Sequence, residues 1–119
     1  MVRSGIATPK FVLNSVTPIY SRDREFEQRL FDTFLNILNT ANRQKEIRSL
    51  ALPLLATGNY GAPKELCARV LIETMQSFRF SLNEDQLNLK EIHMINIDKD
   101  TTKVLVKEIR RSFPQGNFP

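Results

Sequence analysis

The period at which apolar residues return changes repeatedly along this chain, and each change marks an element. "KFVLNSV", residues 10–16, is short, rich in β-branched and aromatic side chains, and followed by Thr17-Pro18, which discourages continuation of a ladder. It predicts a first strand. Over residues 23–43, Phe26, Leu30, Phe34, Ile37, Leu38 and Ala41 recur at spacings of three and four, one apolar stripe against a charged face. It predicts a long amphipathic helix. "IRSLALPLL", residues 47–55, is too apolar to alternate cleanly and predicts a central strand covered on both faces of a parallel sheet. Pro63 suits a first helical turn, where a missing N–H is tolerated, and Leu66, Cys67, Val70, Leu71, Thr74 and Phe78 then follow helical spacing. After a polar loop at residues 82–88, "EIHMINI", residues 91–97, predicts a third strand. Asp98 or Asp100 is placed to cap a last helix carrying Val104, Leu105, Ile109 and Phe113, and "PQGNFP", residues 114–119, predicts a loose tail.

Strands alternating with helices give β-α-β-α-β-α. Right-handed crossovers then force an α/β layered domain with a mainly parallel sheet. The 119 residues, 41% of them hydrophobic, fit one domain with a core over about residues 8–113. A single cysteine, Cys67, excludes an internal disulfide and offers no metal-ligand cluster. No apolar run reaches the roughly 18 residues of a membrane span, and the first residues match no secretory or transit pattern. The expectation is a soluble intracellular protein, nuclear or cytoplasmic, without a membrane partner. The formal charge of +4 and pI near 9.5 favour phosphate-bearing partners. Lys and Arg are scattered among acidic residues, however, which speaks against a specific nucleic-acid site.

The candidate chemistry lies between the second strand and second helix, where "LPLLATGNYGAPKE", residues 52–65, sets an apolar run against a Gly-rich turn. In open α/β sheets ligands sit at the carboxyl ends of the strands, and this turn falls there. Gly58 and Gly61 permit positive φ or close backbone approach, so successive N–H groups can converge on one anion at a helix N-terminus. Thr57 adds a hydroxyl, Asn59 an amide, and Tyr60 a ring able to lie over a sugar or against phosphates. A tight strand-to-helix turn with no ligand explains the same composition equally well. The loop is not a Walker P-loop, because the span from Gly58 to Gly61 is too short and Lys64 follows Ala-Pro. Nor is it the Gly-x-Gly-x-x-Gly dinucleotide fingerprint.

The run "ALPLLATGNYGAP" resembles the second ligand loop of macro domains: an apolar strand, Pro, two residues, a small residue, Thr-Gly, any residue, an aromatic or apolar residue, Gly, any residue, Pro. "KFVLNSVTPIY" is similar to the family strand Lys-Tyr-Val-Ile-His-Ala-Val-Gly-Pro, and "LKEIHMINIDKDTTKVLVKEI" to its final strand and helix. The Thr-Gly-Asn form is most similar to macro modules attached to ADP-ribosyltransferases. The resemblance covers about residues 8–113. It implies a three-layer α/β/α domain that binds ADP-ribose, free or on a modified protein, as a reader. Ala56, Thr57, Gly58, Asn59, Tyr60 and Gly61 would hold the diphosphate and distal ribose, and Asn96 falls on the adenine side. Asn14 stands where the family usually has His, and Thr17 where it has Gly. The family's first ligand loop, with its Asn-Ala-Asn segment, and an early adenine-reading Asp have no counterpart before Lys10. The resemblance therefore implies an N-terminally truncated macro domain.

That departure weighs against hydrolysis of ADP-ribosyl bonds, which in the family depends on the first loop. No residue pattern marks a catalytic or metal-ligating group, and beyond the ligand ADP-ribose no cofactor is expected. His93 is expected as a packed or edge strand residue, Cys67 as a small core residue, and Glu84-Asp85 and Asp98 with Asp100 as loop and cap carboxylates. Arg110-Arg111 complement the dipole of the last helix. The alternative function is a binding-deficient scaffold acting in protein-protein interaction, with self-association through an exposed sheet edge.

Overall fold

The structure is a computed structural model that describes residues 13, 15–56, 61–95 and 98–112. Helix α1 is Arg24–Arg43, strand β1 Ser49–Pro53, helix α2 Lys64–Phe80, strand β2 Glu91–Ile95 and helix α3 Lys99–Ser112, with a 3-10 turn at Glu84–Gln86. The α/β class with a parallel sheet holds.

α1 starts where the chain supplies a cap. The Asp23 carboxylate accepts the Phe26 N–H at 3.0 Å and is itself steadied by the Ser21 hydroxyl at 2.8 Å. Glu25 and Glu27 in the first turn and Arg43 in the last complement the helix dipole. The predicted stripe of Phe26, Leu30, Phe34, Ile37, Leu38 and Ala41 is buried throughout. Each large member contributes roughly 1.5–3 kcal/mol of burial. It meets Cys67, Ala68, Val70 and Leu71 of α2, Leu52 and Leu54 of β1 and its exit, and Leu105 of α3 in one core. A second cluster joins Leu38 and Ala41 to Ile47, Phe78 and Leu89 at the far end of α1.

β1 and β2 pair in parallel, Ser49 opposite Glu91 through Pro53 opposite Ile95. Leu50, Leu52, Ile92 and Met94 face the helices. Contrary to the expectation of a strand covered on both faces, β1 alternates: Ser49 and Ala51 are exposed while Leu52 is buried. The reason is packing. α1, α2 and α3 share that one core, so the described helices cover one face of the sheet and Ser49, Ala51, Glu91 and Ile95 are left to solvent on the other.

Other boundaries moved. The second predicted strand, residues 47–55, shortens to Ser49–Pro53, and the third to Glu91–Ile95, residues 96–97 lying outside those described. Of the first predicted strand only Leu13, Ser15 and Val16 are described, and none of them is in a strand. Val16 is 90% exposed, so it buries no apolar surface that would fix a register there. Phe113 and residues 114–119 also lie outside the described residues.

One polar anchor had no periodic signal. Asn42, buried at the end of α1, accepts the N–H groups of Asn88 at 2.8 Å and Leu89 at 2.9 Å on its side-chain oxygen. Its amide donates to the Gln86 carbonyl at 2.9 Å, and the Asn88 side chain returns a bond to the Asn42 carbonyl at 2.8 Å. These bonds fix the segment that delivers the chain into β2.

Candidate functional site

Both strands run the same way, so their carboxyl ends, Pro53 and Ile95, lie side by side and the connections to α2 and α3 leave from one edge of the sheet. At the β1 exit Leu54 is buried, and Ala56, also buried, adopts φ 71°. A left-handed conformation is rare for a residue with a Cβ and costs roughly 1–2 kcal/mol. Gly61, at the other end of the turn, has φ 66°, and a Cβ built there would meet nothing within 4 Å. Backbone conformation, not crowding, therefore requires glycine at this position.

The two ends are clamped. The Ala62 N–H donates to the Ala56 carbonyl at 2.9 Å, closing the loop at its neck, and Ala62 is itself buried. The loop then opens straight into α2. Pro63 precedes the first turn, its carbonyl accepts the Cys67 N–H at 3.1 Å, and among the described residues no side chain caps this helix N-terminus. Uncapped first-turn N–H groups with the positive end of the helix dipole make an anion-favouring position.

The neighbouring helix start is tied in. Lys64, first residue of α2, reaches the two Asp98 carboxylate oxygens at 3.3 and 3.4 Å. Asp98 is the carboxylate that caps α3: the Thr101 N–H donates to it at 2.7 Å, while the Asp98 carbonyl accepts the Thr102 N–H and hydroxyl, both at 2.9 Å. The Thr101 N–H above all, then the Thr101 hydroxyl and the Lys64 ammonium, bring the Asp98 carboxyl down to about 2. A carboxylate held so acidic and so fully engaged is a structural brace and a poor proton acceptor. The sequence offers Asp98 or Asp100 as the cap, of which the structure uses Asp98, and gives no sign of Lys64 as its partner, because residues 34 apart leave no local signal.

Of the predicted ligand residues, Ala56 and Gly61 stand at the two ends of this clamped loop. Thr57, Gly58, Asn59 and Tyr60, and the adenine-side Asn96, lie outside the described residues. Cys67 is wholly buried and desolvation pushes its thiol up to about 12, so it is a core residue and no nucleophile. His93 sits mid-strand on β2, its Nε2 2.9 Å from the Glu91 carboxylate, as an edge-facing strand residue.

Comparison with known proteins agrees with this architecture. The chain is 30% identical over 104 residues to a protein of Klebsiella pneumoniae named O-acetyl-ADP-ribose deacetylase, covering 87% of this chain and 56% of that protein. It is 28% identical over 105 residues to a protein of Archaeoglobus fulgidus named ADP-ribose glycohydrolase, covering 87% of this chain and 51% of that one. The chain thus spans about half the length of these relatives, and 16% of a longer Thermotoga maritima protein that it also matches. Among solved structures, the Oceanobacillus iheyensis macrodomain with ADP superposes with a TM-score of 0.68 at 19% identity, over 83% of this chain and 50% of that one. A point mutant of the same macrodomain with ADPR gives 0.68 over 84% and 51%. At such identity the likeness establishes the shared fold. The macro domain family model matches residues 1–71, more than half the chain, and the chain accordingly belongs to the macro domain family.

Proposed function

We propose that this chain binds ADP-ribose, free or attached to a protein, and acts as a reader of that group. The observation that carries the reading is the clamped loop. It leaves β1 through a left-handed Ala56, returns through a left-handed Gly61, is closed by the Ala62 to Ala56 hydrogen bond, and empties into an α2 N-terminus that no described side chain caps. In this reading the α2 N-terminus, with the positive end of its helix dipole, meets the diphosphate, and the distal ribose lies beside it. Ala56, Thr57, Gly58, Asn59, Tyr60 and Gly61 are the ligand residues in this reading, with Asn96 toward adenine. The structural relatives solved with ADP and ADPR support the ligand class.

The names of two relatives bring a hydrolytic reading with them. Of the described ionisable groups beside the loop, Asp98 is bonded to Thr101 and Lys64 and the Cys67 thiol lies in the core. Recognition without turnover is the reading that fits those groups.

Calorimetric titration of the folded chain with ADP-ribose, with AMP as control, tests it. Saturable heat selective for ADP-ribose is expected, and Gly58→Val is expected to abolish it while circular dichroism shows the fold intact. Equal binding by folded Gly58→Val would sink the assignment of the loop. Incubation with an ADP-ribosylated protein or O-acetyl-ADP-ribose is expected to leave both substrates unchanged, and sustained release of product would replace the reader with an enzyme.

A further inference from the structure

Lys64 stands at the wrong end of its own helix. It is the first residue of α2, and a cation there meets the positive end of the helix dipole, which disfavours it. What holds the ammonium is Asp98, whose two carboxylate oxygens lie 3.3 and 3.4 Å from Nζ. Of the ion pairs between described residues, this is the one that joins α2 to the start of α3. Its two partners differ in freedom. The Asp98 carboxylate is pinned by the Thr101 N–H at 2.7 Å, and the Asp98 carbonyl takes the Thr102 N–H and hydroxyl at 2.9 Å. Lys64 reaches on a long stem to that fixed point.

Each partner belongs to a different connection on the ligand side of the sheet. Lys64 comes two residues after Ala62, whose N–H closes the neck of the loop on the Ala56 carbonyl. Asp98 comes two residues after Asn96, the residue read as adenine-side. The connections leave neighbouring strands at paired positions, Pro53 opposite Ile95, so the pair ties the two together where each enters its helix. We propose that Lys64 and Asp98 are positioning residues, whose pair fixes how far the neck at Ala56 and Ala62 stands from the segment entering α3. The site thereby favours a ligand that touches both connections over one that fills the loop alone. This rests on the reading of the loop as an ADP-ribose site and adds to it a residue pair that selects for the length of the ligand. A direct phosphate contact from Lys64 fits less well, because both oxygens of Asp98 already engage its ammonium.

The test is a double-mutant cycle read in ligand binding. Lys64→Met, Asp98→Asn, the double variant and Lys64→Arg are titrated with ADP-ribose and with inorganic diphosphate, which reaches the loop side only, at a temperature where circular dichroism shows each chain folded. The side chains are 34% and 64% exposed, so the pair is partly screened by solvent. Lys64→Met and Asp98→Asn are each expected to weaken ADP-ribose binding about two- to fivefold, the range open to such a pair, and to leave diphosphate binding unchanged. The double variant is expected to lose no more than either single one, because the second substitution finds the pair already broken. Lys64→Arg, which keeps the charge, is expected to bind as the wild type does. Unchanged or tighter ADP-ribose binding by Asp98→Asn, beside a loss in Lys64→Met, overturns the proposal and makes Lys64 a phosphate ligand. Equal weakening of both probes by Lys64→Met does the same. ADP-ribose binding equal in every variant overturns the positioning role and leaves the loop assignment standing, whereas a wild type that binds no ADP-ribose rejects both. Where diphosphate binds too weakly to titrate, the ADP-ribose cycle decides alone. Should Asp98→Asn fail to fold, Lys64→Met must lose ADP-ribose affinity and keep diphosphate affinity, or the proposal falls.

Discussion

Asn42 shows how much one buried amide can organise. Its side chain hydrogen-bonds α1 to the segment entering β2, and its oxygen serves two backbone N–H groups at once. Asn42→Ala orphans the N–H groups of Asn88 and the buried Leu89, and removes the donor to the Gln86 carbonyl. A lost hydrogen bond costs about 1 kcal/mol and an unsatisfied buried group about 1–3, so the expected destabilisation is roughly 2–4 kcal/mol in urea unfolding. A change below about 0.5 kcal/mol would mean that water serves those groups equally well. Gly61 illustrates a smaller, purely conformational demand. Nothing crowds the position, so Gly61→Ala pays only for a left-handed φ, about 1 kcal/mol or slightly more. A stability unchanged by that substitution would show the turn free to relax to another conformation.

The start of α3 is held by a charge whose protonation can be read directly. Asp98 has an ordinary carboxyl value of 3.8 when unfolded and about 2 when folded, lowered by the Thr101 N–H and hydroxyl and by Lys64. A lowered folded value means stabilisation that is fully present above 3.8 and lost as pH falls through about 2. Asp98→Asn keeps a capping side chain but loses the charge and the Lys64 pair. The wild type is therefore expected to exceed the variant in thermal midpoint by a constant margin from pH 7 to about 5, the margin closing between pH 4 and pH 2. A margin independent of pH would show the carboxylate's charge to be irrelevant. Elements of this kind differ in how far the sequence discloses them. Phe26, Leu30, Phe34, Ile37, Leu38 and Ala41 announced α1 because a two-sided environment imposes the helical period directly. The Lys64 to Asp98 and Asn42 to Leu89 bonds join residues 34 and 47 apart, and long-range polar partners leave no period to read.

The layering of the molecule explains why β1 is not covered on both faces. "IRSLALPLL" reads as apolar on both sides, yet Leu50, Leu52 and Leu54 supply the buried face while Ala51 and Pro53, small apolar residues that tolerate the surface, fill the alternate positions. With α1, α2 and α3 joined in one core, the helices' combined apolar surface is spent on a single side of β1 and β2. The other side carries Ser49, Ala51 and Pro53 beside Glu91, His93 and Ile95, of which Ile95 is 36% exposed. Adjacent residues of β1 should therefore respond oppositely to substitution. Ala51→Lys adds a charged chain to an exposed position and is expected to stay within about 0.5 kcal/mol of wild type. Leu52→Ala removes a side chain 3% exposed from the main core and is expected to cost about 2–5 kcal/mol. Urea unfolding of both, with light scattering at the same concentrations, separates two situations. Equal tolerance of Ala51→Lys with an unchanged scattering mass means that this face meets water. A large loss at Ala51, or a fall in mass on substitution, means that the outer face is covered in solution, as self-association through the sheet would require.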